Sequence, residues 1–129
     1  MPLTYLIDEE LGVVRTTATG RLTDAELLEH KKVLMDDPKF RPGMRELSDI
    51  RGVDALDVSP QGVMRAASFD SANSPTVGRH QLGILVPSDH VFGMARMYQM
   101  RTDGNTGGVH VFRDEAEAEL WLTSPTEGG

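Results

Sequence analysis

The chain of 129 residues has no cysteine. That excludes disulfides, thiolate metal sites and a cysteine nucleophile, and it suits a reducing compartment. Aromatic residues are also scarce, with one Trp, two Tyr and four Phe, so the core must be largely aliphatic. No apolar run reaches the ~18 residues that a bilayer-spanning helix needs, and none at the amino terminus has signal-peptide length. A cytoplasmic protein without a membrane span is expected. Positive charge is in deficit too. Thirteen Lys and Arg face twenty Asp and Glu, a formal charge of −7, and an acidic field of that size repels nucleic acid and anionic lipid. The length fits one domain over residues 1–129.

What is present alternates between strand and helix patterns, which implies an α/β fold. Leu3 to Asp8 has strand composition, and Gly12 to Gly20 (GVVRTTATG) is rich in β-branched residues and reads as its hairpin partner. Thr23 with Glu26 forms a capping box that opens a helix ending near Asp36. Leu27, Leu28, Leu34 and Met35 lie on its apolar side; Glu29, His30 and Lys32 are expected on its wet side. Arg45 to Asp49 reads as a strand. Gly52 with Asp49, Asp54 and Asp57 then signals an acidic loop. Ser59-Pro60 is a strong helix start, because the serine oxygen accepts an orphan N–H while proline at the first helical position gives up no needed donor. That helix should run from Pro60 to about Ala72.

Leu82 to Val86 is a continuous apolar run that predicts a strand at the sheet centre. Ser88 caps a further helix whose stripe of Val91, Met94, Ala95 and Tyr98 is widened by Phe92, Met97 and Met100. So broad an apolar arc implies a second packing surface beyond the core. A homodimer that buries the outer side of the Val91 to Met100 helix is expected, and a groove for a lipid or other small apolar ligand is the alternative, since methionine repacks readily. Val109 to Phe112 reads as the last strand, and Asp114 with Glu117 as the cap of a last helix buried through Ala118, Trp121 and Leu122.

Catalytic and metal motifs are sparse. His30, His80, His90 and His110 show no local ligand spacing, and there is no nucleophile elbow. The glycines of Thr102 to Gly108 lack the Lys-Ser/Thr of a phosphate loop. The three aspartates could hold a hard cation, but a solvated loop accounts for them equally well. No enzyme, cofactor or resident metal is expected.

The element order, together with Gly20-Arg21-Leu22-Thr23, Asp36-Asp37-Pro38-Lys39-Phe40, Ser48-Asp49-Ile50-Arg51-Gly52-Val53, Gly93-Met94-Ala95-Arg96-Met97-Tyr98 and Val111-Phe112-Arg113-Asp114-Glu115-Ala116, resembles the STAS fold of bacterial anti-sigma factor antagonists, in particular its SpoIIAA-like branch. The resemblance implies a STAS-like single mixed sheet of about five strands packed with about four helices, and a non-catalytic regulatory or protein-binding role. In antagonists of that fold a phosphorylatable serine opens the helix after the third strand. The matching stretch here is Asp57-Val58-Ser59-Pro60-Gln61-Gly62, which lacks the tandem serine of the Asp-Ser-Ser-Gly signature. Ser59, with Asp49 and Asp57 beside it, is thus the candidate phosphoacceptor and partner site. The alternative is a carrier or sensor of an apolar ligand in the manner of SEC14 lipid carriers, using Phe92, Met94, Met97, Tyr98 and Met100. As a plain cap, Ser59 should tolerate aspartate without loss of stability, because aspartate caps equally well.

Overall fold

The structure, a computed structural model, describes residues 3–72, 81–87, 93 and 109–124. Five strands form one sheet in the order β1-β2-β3-β4-β5. Strand β1 (Leu3–Asp8) pairs antiparallel with β2 (Val13–Thr23), and the turn between them closes through Gly12 at φ 70°, a left-handed conformation that glycine adopts without strain. Helix α1 (Asp24–Asp36) crosses from β2 to β3 (Arg45–Asp57), which lies parallel to β2. Helix α2 (Pro60–Ala72) follows, then β4 (Gln81–Leu85) parallel to β3 and β5 (Val109–Phe112) parallel to β4. Helix α3 (Glu115–Thr123) ends the described chain. The mixed α/β sheet is the one expected. Three of the helices are described, and the segment expected to form a helix from Val91 to Met100 lies, apart from Gly93, outside the described residues.

Side chains alternate across the sheet, so neighbouring residues of one strand serve opposite layers. On one face Val13, Leu47 and Leu85 pack with Ala118 and Leu122 of α3, flanked by Phe112 and Trp121. On the other, Val14 packs with Leu34 of α1 and with Met44, while Ala66 of α2 meets Val109. The result is three layers, α3 below and the α1–α2 pair above. Gly83 admits the Trp121 ring so closely that a Cβ there would lie 2.6 Å from its Cζ3. Arg45, 8% exposed, donates from Nη1 to the Trp121 carbonyl at 2.6 Å and to the Ser124 carbonyl at 2.8 Å, which places a cation on the carbonyl end of α3.

Three expectations are corrected. The chain does not leave the sheet at Asp49: β3 runs on to Asp57, paired with the second half of β2 through Thr19–Gly52 and Thr23–Asp57. Register shifts between Thr17 and Thr19 and between Gly20 and Arg21 mark bulges. Gly52 sits against one of them, where a Cβ would lie 3.1 Å from the Ala18 carbonyl oxygen; the glycine read as a strand exit therefore serves a close approach within the sheet. The sheet centre is β3, with β4 one place further out. Third, His30 is not on a wet face. Its side chain is 8% exposed, and its Nε2 lies 2.8 Å from the equally buried Glu46 carboxylate.

Candidate functional site

The carboxyl ends of β2 and β3 bring the amino termini of α1 and α2 together, because each strand runs directly into its helix. Ends of parallel strands facing helix starts are where open α/β sheets gather ligands. Thr23 caps α1 through a complete capping box with Glu26. Ser59 caps α2: its Oγ accepts the Gly62 amide at 3.0 Å, as the sequence implies. The same hydroxyl donates to Asp24 Oδ2 at 2.6 Å, and the Ser59 amide donates to Asp24 Oδ1 at 2.8 Å. Asp24 opens α1, so one carboxylate stands at two helix amino termini and is favoured by both dipoles. Gly62 makes the room. A Cβ at that position would lie 2.0 Å from Asp24 Oδ1.

The candidate residues are not all gathered there. Asp57, opposite Thr23 in the strand register, forms an exposed ion pair with Arg21 at the rim of this junction. Asp49 belongs elsewhere on β3. At roughly 3.3 Å per strand residue it lies on the order of 25 Å from Asp57. It is bound to Arg51 through Nη2 at 2.8 Å and Nε at 3.0 Å, and this pairing holds its carboxyl below the usual range. Arg51 also reaches Glu115 on α3 at 3.3 Å. The aspartates of the expected loop are thus spread along a strand, and no group of three or more potential metal ligands occurs among the described residues. Phe92, Met94, Met97, Tyr98 and Met100 lie outside the described residues.

Sequence reasoning missed two groups. Asp24 lies between the two residues of the Thr23–Glu26 capping box with no signal of its own, and nothing local ties it to a serine so far along the chain. The second group is a buried polar cluster beneath α1. Thr16 donates to Glu46 Oε2 at 2.6 Å, His30 approaches the same oxygen at 2.8 Å, and Ser48 lies 3.4 Å from it. The Tyr5 ring packs edge-on to His30, and its hydroxyl donates to Asp37 at 2.8 Å. Burial, and after it the Asp37 bond, pushes the Tyr5 phenol up to about 12; the Lys39 amide and then Tyr5 hold the Asp37 carboxyl low. This cluster joins α1 to the sheet, and its Thr16, His30 and Glu46 side chains are closed to solvent. Its signal was an acidic residue, Glu46, beside apolar Leu47 on a strand covered on both faces.

No known family profile matches the chain, and no curated protein matches it. Among solved structures it is similar to an uncharacterised protein of the DUF3478 family with a SpoIIAA-like fold from Shewanella loihica PV-4. Identity is 18%, the match covers 93% of each chain, and the TM-score is 0.60. The chain therefore has a SpoIIAA-like fold.

Proposed function

We propose that this SpoIIAA-like chain is a non-catalytic protein-binding module whose partner surface lies at the shared start of α1 and α2 and is switched at Ser59. The observation that supports the reading is the 2.6 Å contact between the Ser59 hydroxyl and the Asp24 carboxylate across two helices. A phosphoryl group placed on that oxygen by a partner kinase, from a nucleoside triphosphate, would bring nearly two negative charges against Asp24. The two anions compete for one helix terminus. Phosphate, with more acceptor oxygens, takes the α2 amides and expels Asp24. The surface a partner reads would change in charge and in the seating of α1 against α2.

The test is to install phosphoserine at position 59 and follow the Asp24 and Gly62 resonances by NMR. The reading requires both to shift while the sheet resonances stay in place. Unchanged Asp24 resonances would show that the carboxylate is not displaced and would overturn it. The apolar-ligand alternative rests on the segment from Phe92 to Met100, and no observation among the described residues favours it.

A further inference from the structure

Helices α1 and α2 leave a groove between them on the face turned away from the sheet, about 450 Å³ in volume and open to solvent. Its walls are Leu28 and Lys32 from α1 and Met64, Arg65, Ser68 and Phe69 from α2. The apolar part of the lining, its floor, is Leu28 from α1 and Met64 and Phe69 from α2, and the i, i+4 neighbours Lys32 and Arg65 set a cation beside Leu28 and Phe69. Met64 is 46% exposed, an apolar side chain held in water on a helix that has its sheet-facing position in Ala66.

The charges around this floor are unusual for the molecule. In a chain with seven more acidic than basic residues, most described arginines already have acceptors: Arg15 on Glu119, Arg21 on Asp57, Arg51 on Asp49 and Glu115, Arg45 on the end of α3. Lys32 and Arg65 make no ion pair or hydrogen bond among the described residues. Both are exposed, and they come from opposite walls of the same groove.

Building on the protein-binding reading above, we propose that this groove docks an acidic amphipathic helix of a partner protein, its apolar stripe on Leu28, Met64 and Phe69 and its carboxylates on Lys32 and Arg65. A cleft between two helices accepts a third, about 10 Å across, by ridge-and-groove packing. Anchors at i, i+3, i+4 and i+7 are how such grooves read a helix. Small apolar ligands sit instead in pockets that cover roughly 70–90% of their surface, and a groove open along its length does not enclose one. Methionine on the wall lets the floor adapt to the incoming side chains.

The experiment uses the full chain and a fluorescein-labelled synthetic peptide of about 18 residues, long enough to hold a helix. One version carries leucines in an i, i+3, i+4, i+7 stripe flanked by glutamates; its twin has lysine in place of every glutamate. The protein's overall charge favours the basic twin, so only a local site can reverse the preference. By fluorescence anisotropy at moderate salt the acidic peptide should bind at least about fivefold more tightly than the twin, a margin that two exposed charge pairs can supply. Lys32→Glu with Arg65→Glu, both at exposed positions and checked for fold by circular dichroism, should invert the order. Equal affinities, no saturable binding of the acidic peptide, or an unchanged order in the double variant would each overturn the proposal. So would saturable binding of oleate without binding of the acidic peptide, which would assign the groove to a small anionic amphiphile. Groove binding that is lost in the double variant but untouched by phosphoserine at position 59 upholds the docking site and contradicts the Ser59 switch, so the two readings fail separately.

Discussion

Asp24 and Ser59 are joined twice, with the carboxylate of the first residue of α1 accepting both the amide (2.8 Å) and the hydroxyl (2.6 Å) of the residue that caps α2. Neither residue is then a simple cap. The pairing reverses one expectation drawn from the sequence, that aspartate at position 59 would be harmless. Ser59→Asp sets two carboxylates where one proton-bearing hydroxyl met a carboxylate, and Asp24 loses the hydroxyl donor while keeping only the residue-59 amide. We expect a loss of about 1–2 kcal/mol in urea unfolding, recovered in part by adding Asp24→Asn. Wild-type stability in the single variant would contradict the pairing.

Gly62 gives a second handle. In a helix, alanine is better than glycine by about 1 kcal/mol, but here the new methyl evicts Asp24. Gly62→Ala should therefore fail to stabilise the wild-type chain and should stabilise the Asp24→Ala variant by up to about 1 kcal/mol. The same gain in both backgrounds would mean that Asp24 does not occupy the α2 terminus.

Glu46→Ala should be the costlier change at the α1–sheet contact. It leaves the Thr16 hydroxyl and the His30 ring buried without their shared acceptor, and each such group costs about 1–3 kcal/mol. Chemical denaturation should show a loss of about 2–4 kcal/mol, and a loss below about 1 kcal/mol would mean that water replaces the carboxylate.

Gly83→Ala forces the added methyl into the Trp121 ring. A cost of about 1–3 kcal/mol is expected from overpacking, accompanied by a shift in Trp121 fluorescence, the chain having a single tryptophan. Unchanged emission and stability would show that the ring moves aside freely.

The pH response has two arms. Asp49, held low by Arg51, and Asp37, held low by the Lys39 amide and Tyr5, have folded pKa values below their unfolded ones. Their contribution is present above the unfolded value near 4 and fades as pH falls through the folded values. Tyr5 has the opposite sign: its folded pKa, about 12, exceeds its unfolded one, so its contribution holds below about pH 10 and is lost as pH rises through 12. Ultraviolet titration at the phenolate band should show one phenol ionising near 12 and absent in Tyr5→Phe; two phenols titrating together near 10 would contradict the burial of Tyr5 together with its Asp37 bond.

Much of this fold could be read from local chemistry. The Thr23 and Asp114 caps, the Ser59-Pro60 start and the Ala118–Leu122 face carry signals within one turn of chain. The length of β3 could not be read, because Arg51, Gly52 and Asp54 look like a loop until the bulged edge of β2 is beside them. His30 misled for the same reason. A polar residue among polar neighbours on a helix is exposed by default, and only the carboxylate of Glu46 on a distant strand makes its burial favourable. At the candidate site the serine was visible as a cap, whereas its partner Asp24 became visible only once two crossovers had set α1 and α2 side by side.

The central claim, that Ser59 controls what the junction binds, is tested most directly by affinity capture from host lysate with quantitative mass spectrometry, using the wild-type chain, the chain carrying phosphoserine at position 59, and Asp24→Asn. The account predicts that at least one protein retained by the wild type falls by about tenfold or more with phosphoserine, a change of about 1.4 kcal/mol. It predicts a smaller fall with Asp24→Asn, which loosens the junction without adding charge. Recovery of the same proteins in the same amounts by all three would contradict it and leave Ser59 as a cap alone.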